Sequence, residues 1–190
     1  MGAMSFHFLI ELRRATCVAR LEPKAIKEVA HDRHATPVAL AFIAISSLAG
    51  AFGAVLLPVE MGPVVYRPTF FEASIHGISA FFWMLLLVLL LHHISQRFFS
   101  GEGSYWGLVR MVGYGYAVGV LNLIPWLSPF ILIWMMVLAL RALHYGKGLT
   151  PNQAGLTLLS VIVIFAVMAL LFQSIDPANL YGGIVVDLGN

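Results

Sequence analysis

The sequence predicts an all-α, polytopic membrane protein with five transmembrane helices and an N-terminal helical segment at the cytoplasmic surface. Of its 190 residues 60% are hydrophobic and only 11% are charged, and the mean hydropathy is +0.89. A soluble domain has about a quarter of its residues charged. Four stretches contain no charged residue, and each is longer than the ~20 apolar residues that cross a bilayer: 34–59, 73–96, 111–140 and 148–175.

Residues 1–35 are predicted to form a cytoplasmic amphipathic helical segment that is broken or bent at Glu22-Pro23. They do not resemble a cleavable signal sequence, because the longest apolar run, Phe8 to Ile10, is too short. Two apolar faces are flanked by Arg13 and Arg20, and they favour a helix that is sandwiched between other elements. The headgroup region, a partner protein and the protein's own cytoplasmic loops all remain possible neighbours.

The first span is predicted over 37–57, the second over 75–96 and the fifth over 153–172. Thr36 can cap the first helix, and Pro37 suits its first turn because proline has no amide donor to leave unsatisfied. The fifth span follows a capping box that runs from Thr150 to Gln153. The single cysteine, Cys17, excludes an intramolecular disulfide.

The uncharged run 111–140 is too long for one helix and is interrupted by the sequence IPWLSP, residues 124–129. It is predicted to be a helical hairpin with a third span over 107–125 and a fourth over 129–145. At 1.5 Å per residue these spans reach roughly 28 and 26 Å, which is marginal for a core of about 30 Å. A re-entrant hairpin is therefore an alternative, and it leaves the topology unchanged because it enters and leaves on one side.

Lysine and arginine are distributed very unevenly between the two sides of the predicted bundle. Arg67 alone falls on one side, whereas the other ten fall in the N-terminal segment and in the two loops on its side: Arg13, Arg14, Arg20, Lys24, Lys27, Arg33, Arg97, Arg110, Arg141 and Lys147. The positive-inside rule then places the N-terminus in the cytoplasm and the tail, 174–190, outside. No basic block interleaved with aromatic residues indicates nucleic-acid binding, so nucleic acid is not expected as a partner.

Small residues predict where the helices pack closely. Gly115 and Gly119 have the GxxxG spacing within the third span, and the first span offers a matching groove of Ser46, Gly50 and Ala54. Close packing is preferred over the alternative, a gate or hinge. In the preceding loop, Gly101 and Gly103 are predicted to form a turn before Ser104 caps the third span, and Arg110 is expected to reach the cytoplasmic surface from one turn inside.

Histidines are the only candidate cofactor ligands. His92 or His93 on the second span and His144 on the fourth could face each other and bind a b-type haem or another metal, which would make the protein a membrane redox or transport component. Adjacent helical residues point about 100° apart, so at most one of His92 and His93 could face such a site. No catalytic signature and no metal site is present in the sequence, and the preferred expectation is a non-enzymatic protein without a cofactor.

The chain from Gly101 to about Ala166 resembles the Yip domain family, integral membrane proteins named for interaction with Ypt/Rab GTPases. The resemblance is carried by the GEGS loop, by LVRMVGYGYA, by LIPWLSP and by WMMVLALRALHYGKGLTPNQAG, in that order. The family's usual fold, about five membrane helices with a cytoplasmic N-terminus, agrees with the charge distribution. The compact chain resembles prokaryotic members, which implies a bacterial cytoplasmic membrane.

The resemblance implies a protein that binds other membrane proteins or organises lipid, with membrane lipids and unidentified membrane proteins as partners. An accessory subunit of a larger membrane complex is one form of this role. The motif positions are expected to shape the cytoplasmic face, and none is expected to be catalytic: Gly101, Gly103, Ser104, Arg110, Gly113, Tyr114, Pro125, Trp134, Arg141, His144 and Gly146.

Overall fold

A computed structural model describes residues 2–57, 59–61, 64–66 and 68–173, and the predicted extracytoplasmic tail, 174–190, lies outside this range. The N-terminal segment contains two helices, α1 (Gly2–Ala19) and α2 (Pro23–His31), followed by a 3₁₀ turn, Arg33–Ala35. The break falls where Pro23 begins α2 at its first turn.

Four helices are long and apolar enough to cross a membrane: α3 (Thr36–Leu56), α4 (Phe70–Phe99), α6 (Ser128–Lys147) with the turn before it, and α7 (Pro151–Gln173). A small antiparallel hairpin that the sequence analysis did not anticipate joins α3 to α4, with β1 (Val59–Met61) paired to β2 (Val64–Tyr66). A capping box between Thr69 and Glu72 starts α4.

The third predicted span consists of two different helical segments. Helix α5 (Tyr105–Gly115) passes directly into a 3₁₀ segment, Tyr116–Leu123. A 3₁₀ helix rises about 2.0 Å per residue, so the two segments together extend about 32 Å rather than the 28 Å expected of an α-helix. The hydroxyl of Ser46 on α3 donates to the carbonyl of Tyr116 at 2.7 Å, where the winding changes. A neighbouring side chain thus satisfies backbone that the change of winding exposes.

This third segment runs parallel to α3 along most of its length. The backbones of these two segments approach closely. A Cβ added at Gly113 would lie 2.7 Å from the carbonyl oxygen of Ala39, and a Cβ added at Gly53 would lie 2.6 Å from the carbonyl oxygen of Asn122. Helix α4 also packs closely on α3, since a Cβ on Gly77 would lie 2.7 Å from the side chain of Leu48 and 3.2 Å from its Cα. Helix α7 packs on the outside of α4, where the rings of Trp83 and Phe165 meet at 5.7 Å.

Candidate functional site

The end of the bundle that carries α1 and α2 holds most of the buried polar side chains, and we call it the N-terminal end. Its centre is Arg110 on α5, which is only 5% exposed. The guanidinium donates to the carbonyls of Val29 (3.2 Å) and Ala30 (2.5 Å) and to the hydroxyl of Thr36 (3.1 Å). The two carbonyls belong to the last turn of α2, where no backbone donor is available and where a cation is favoured by the helix dipole. Arg110 therefore caps α2, and the prediction that it reaches the surface is wrong.

A cluster of charged side chains fixes α1 to α2 and to α5. Arg14 donates to Asp32 (2.9 Å), Glu28 (3.1 Å) and Glu11 (3.3 Å). The hydroxyl of Tyr114 on α5, which is fully buried, donates to the carboxylate of Glu11. Arg14 thus joins α1 to α2, and the carboxylate of Glu11 joins α1 to α5 of the membrane bundle.

Asp32 is the acid in this cluster whose charge is most clearly stabilised. Partial burial by itself would raise the pKa of its carboxyl group and is the largest single effect. The hydrogen bond from Arg14, the hydrogen bond from the amide of His34 (3.0 Å) and the positive charge of Arg14 together outweigh it. The net pKa lies below the ordinary value of 3.8. The ion pair between Asp32 and Arg14 therefore persists under mildly acidic conditions.

Beneath these polar contacts the N-terminal helices bury an apolar surface. Ala15 and Val18 of α1 and Ile26 and Val29 of α2 are at most 2% exposed and join one core with residues of α3, α5 and α6. The sequence left three neighbours open for the N-terminal helices: the headgroup region, a partner protein and the protein itself. In the structure these helices pack on the protein's own helix bundle.

A second buried polar group joins the loop 100–104 to the end of α6. Lys147, which is 1% exposed, places its amine 2.6 Å from Nδ1 of His92 and donates to the carbonyl of Gly103 at 2.8 Å. The amide of Glu102 in turn donates to the carbonyl of Lys147 at 2.9 Å. Gly103 has a φ of +78°, a left-handed conformation that favours glycine, and Ser104 caps α5 by accepting from Gly107.

The candidate haem ligands are held by separate partners. His92 is fixed by Lys147, and its ring contacts are with His93 and Tyr105. Nδ1 of His144 lies 2.6 Å from the carbonyl of Leu149, so this nitrogen carries the proton and donates. Within the described part of the chain, no three His, Cys, Asp or Glu side chains are grouped so that they could hold a metal ion.

The structure separates the two glycines that the sequence paired. Gly119 packs on Ser46 of α3, but Gly115 faces the buried side chain of Leu138 on α6, so the prediction that both pack on α3 is wrong for Gly115. The reason is the change to 3₁₀ winding after Gly115, because three residues per turn rotate position 119 away from the α-helical GxxxG face.

On α3 the groove runs through Ser46, Gly50 and Gly53. A Cβ on Gly50 would lie 3.4 Å from Asn122, and one on Gly53 would meet backbone. Ala54 is only half-buried, so Gly53 takes the place that the sequence analysis gave to Ala54.

Most of the motif positions of the resemblance lie at or near the N-terminal end. Gly146 packs its backbone against the side chain of Met111, Gly101 donates to the carbonyl of Ser95 at 2.9 Å, and Arg141 lies on the surface, where it donates to the hydroxyl of Tyr145 at 3.0 Å. Two positions lie elsewhere. Pro125 begins the short 3₁₀ turn before α6, and Trp134 lies within α6.

Several contributors to the polar clusters were not among the sequence candidates, namely Glu11, Arg14, Glu28, Asp32 and Lys147. Lys147 was counted only as a loop charge, and Glu11 was not singled out. The sequence gives one indication that Lys147 has a structural role, because this residue follows Gly146 of the motif and is the last residue of an apolar helix. No local pattern indicates Glu11, since its partner Tyr114 is 103 residues away.

The outward side of α1 forms an open groove of about 590 Å³. Leu9 is 60% exposed and Leu12 is 43% exposed there, and the exposed Arg13 and Arg20 lie beside them. Thr16, Cys17 and Glu22 complete the lining. The groove therefore combines apolar and basic side chains on a helix whose opposite side is anchored to the bundle.

The comparison with protein families gives one match. Residues 23–172 match the family model described as the Yip1 domain. The match includes α2 and runs to the end of α7, so it covers most of the chain and contains both Arg110 and Lys147. Neither the curated proteins nor the solved structures gave a match to the chain.

Proposed function

The chain belongs to the Yip1 domain family of integral membrane proteins, and from this premise we propose that it is a non-enzymatic protein that binds other membrane proteins and organises them in the bilayer. The proposed role is that of an accessory subunit. The observation that carries the proposal is the groove on α1, which is exposed on one side and anchored on the other.

We propose that the chain crosses the membrane five times, with α1 and α2 in the cytoplasm and the C-terminus outside. The parallel course of α3 and the segment 105–123, together with the extent of about 32 Å, supports a full third crossing. The excess of lysine and arginine on the side of α1 supports the orientation. We place the protein in a bacterial cytoplasmic membrane.

The groove on α1 defines the chemistry of the partner. A protein interface typically has an apolar centre and a polar rim. In this groove Leu9 and Leu12 form the apolar centre, and Arg13 and Arg20 form the rim. The complementary surface on the partner is an amphipathic segment that carries aspartate or glutamate beside its apolar face. Because the polar clusters already hold α1 in place, little ordering of the helix is needed on binding.

The test is site-specific photocrosslinking in living cells with benzoylphenylalanine in place of Leu12. We expect a membrane-protein adduct of one defined mass, and we expect the double substitution Arg13→Glu and Arg20→Glu to reduce it at least tenfold, because both charges on the rim are reversed. The matched control is Lys24→Glu with Lys27→Glu, which makes the same change of charge on the exposed surface of α2 outside the groove.

Undiminished crosslinking in the Arg13→Glu, Arg20→Glu variant would contradict the proposed surface. An equal loss in the Lys24→Glu, Lys27→Glu control would attribute the effect to net charge rather than to the groove, and it would contradict the proposal as well. Adducts with lipid alone would overturn the role in protein binding.

A further inference from the structure

The membrane domain contains a cavity of about 760 Å³ between α4, α6, α7 and the third segment. Its walls are almost entirely apolar, with Leu91 of α4, Val112 of α5, Met135 and Ala139 of α6 and Leu158 of α7 among the lining residues. An apolar cavity of this kind does not hold ordered water, because water would lose its hydrogen bonds there. Its occupant must therefore be apolar.

The length of the cavity matches one leaflet of the bilayer. Along α6 it extends from Ser128 to Ala139, and the eleven steps between these residues correspond to about 16 Å of α-helix. Half of a hydrocarbon core of about 30 Å is about 15 Å. On α6 the cavity thus runs from the end of the bundle opposite α1 and α2 to beyond the middle of the helix.

Two of the polar side chains that line this cavity lie at the same end of it, and a third, Tyr116, lies at the start of the 3₁₀ segment. Asn122 and Ser128 line it where the 3₁₀ segment and the start of α6 meet, at the end opposite α1 and α2. Among the described residues, neither side chain has a hydrogen-bond partner. An amide and a hydroxyl at the mouth of an apolar cavity can donate to oxygen atoms that lie at the level of the membrane interface.

We infer that the cavity binds one hydrocarbon chain of a membrane lipid that belongs to the leaflet opposite α1 and α2, with Asn122 and Ser128 donating to the ester oxygens of that lipid. A helix of a second copy, about 10–12 Å across with its side chains, is the bulkier alternative, and the experiment distinguishes the two occupants. A single chain is thin enough, and three methionines in the walls (Met84, Met135 and Met136) can adapt to its bends.

The experiment uses the full chain in vesicles of phosphatidylethanolamine and phosphatidylglycerol that contain a phosphatidylethanolamine with a diazirine at the end of one acyl chain. After illumination, peptides are analysed for covalent lipid. We expect labelling concentrated on residues 131–139 and 158–165, at least fivefold above the lipid-facing residues of the same helices. Ala139→Phe should reduce this labelling at least fivefold, because the ring occupies the inner end of the cavity.

The matched control is Ala166→Phe, the same substitution at an exposed position of α7 that does not line the cavity, and its labelling should equal that of the unmodified protein. Leu132→Trp provides a second test, since Leu132 lines the cavity from an exposed position where a larger side chain does not disturb the core. Like Ala139→Phe, it should reduce the labelling.

Uniform labelling of all lipid-facing residues, or labelling that neither Ala139→Phe nor Leu132→Trp reduces, would overturn the inference. Crosslinks between two copies through α6 and α7 would also overturn it, because they would assign the cavity to a second protein chain. The partner adduct formed from Leu12 is measured separately and should be unchanged in Ala139→Phe, so the two proposals can fail independently.

Discussion

Replacement of Gly53 by alanine is the most informative perturbation of the third segment. A Cβ there would lie 2.6 Å from the carbonyl oxygen of Asn122 and 2.8 Å from that of Leu123, and neither atom can rotate away because both belong to the backbone. Inserting one methyl group into a tightly packed contact costs about 1–3 kcal/mol. The gain of about 0.5–1 kcal/mol from replacing a helical glycine opposes this cost. We expect a net loss of about 1–2 kcal/mol.

Gly155→Ala on α7 is the matched control, because no atom lies within 4 Å of its added Cβ. This variant keeps the gain in helix propensity without the clash, so it should be as stable as the unmodified protein or slightly more stable. The assay is reversible unfolding in mixed micelles, followed by circular dichroism as the fraction of denaturing detergent is raised. The two variants should differ by roughly 2 kcal/mol in the free energy of unfolding, from the costs just given. Equal stabilities would refute the close approach of α3 and the 3₁₀ segment.

Three further predictions concern the N-terminal end. Arg110→Lys keeps the charge but cannot reproduce three directed hydrogen bonds, so it should destabilise the docking of α2 by about 2–3 kcal/mol, seen as faster amide exchange in residues 23–31. Asp32 has a lowered pKa, so its contribution is present above its ordinary value of 3.8 and is lost as the pH falls through the folded value. A fluorescent probe on Cys17 should report loosening of α1 only below about pH 4, and Asp32→Asn should remove this acid transition. Lys147→Met should leave the spans folded but release the loop at Gly103, seen as faster exchange of residues 101–104.

Each of these predictions has a contradicting result. Unchanged exchange of residues 23–31 in Arg110→Lys would mean that the capping of α2 does not hold it in place. A transition near neutral pH would assign the loosening to a histidine rather than to Asp32. Protection of residues 101–104 in Lys147→Met would show that the amide of Glu102, rather than the amine of Lys147, fixes the loop.

The membrane helices could be read from the sequence because the bilayer imposes a strong and local rule. Each span needs a long apolar run, and the capping box from Thr150 to Gln153 marks where the last run begins. The prediction that Thr36 caps the first helix is wrong, because Thr36 lies within α3 and its hydroxyl accepts from Arg110. The family followed from an ordered set of short motifs, and the match over residues 23–172 confirms it.

The change of winding after Gly115 could not be read in the same way. Ser46 on another helix donates to the carbonyl of Tyr116 at the junction, and no feature of residues 116–123 alone reveals that contact. The change of winding also places Gly115 and Gly119 on different faces, against Leu138 and Ser46.

Arg110 shows why a charge near the end of a span is difficult to interpret. Its sequence position fits a side chain that reaches the surface, but α2 lies above it and offers the free carbonyls of Val29 and Ala30. The partners are about 80 residues away in the chain, and only the docking of the N-terminal helices brings them together. The same holds for Glu11 and Tyr114.

Amide hydrogen exchange of residues 9–31 in lipid nanodiscs is the most direct measurement of whether α1 and α2 are a fixed part of the bundle. Because these helices are capped by Arg110, joined through Arg14 and buried at Val18 and Ile26, we predict protection comparable to that of α5. Exchange at the rate of an unfolded chain, while the membrane helices stay protected, would contradict the account.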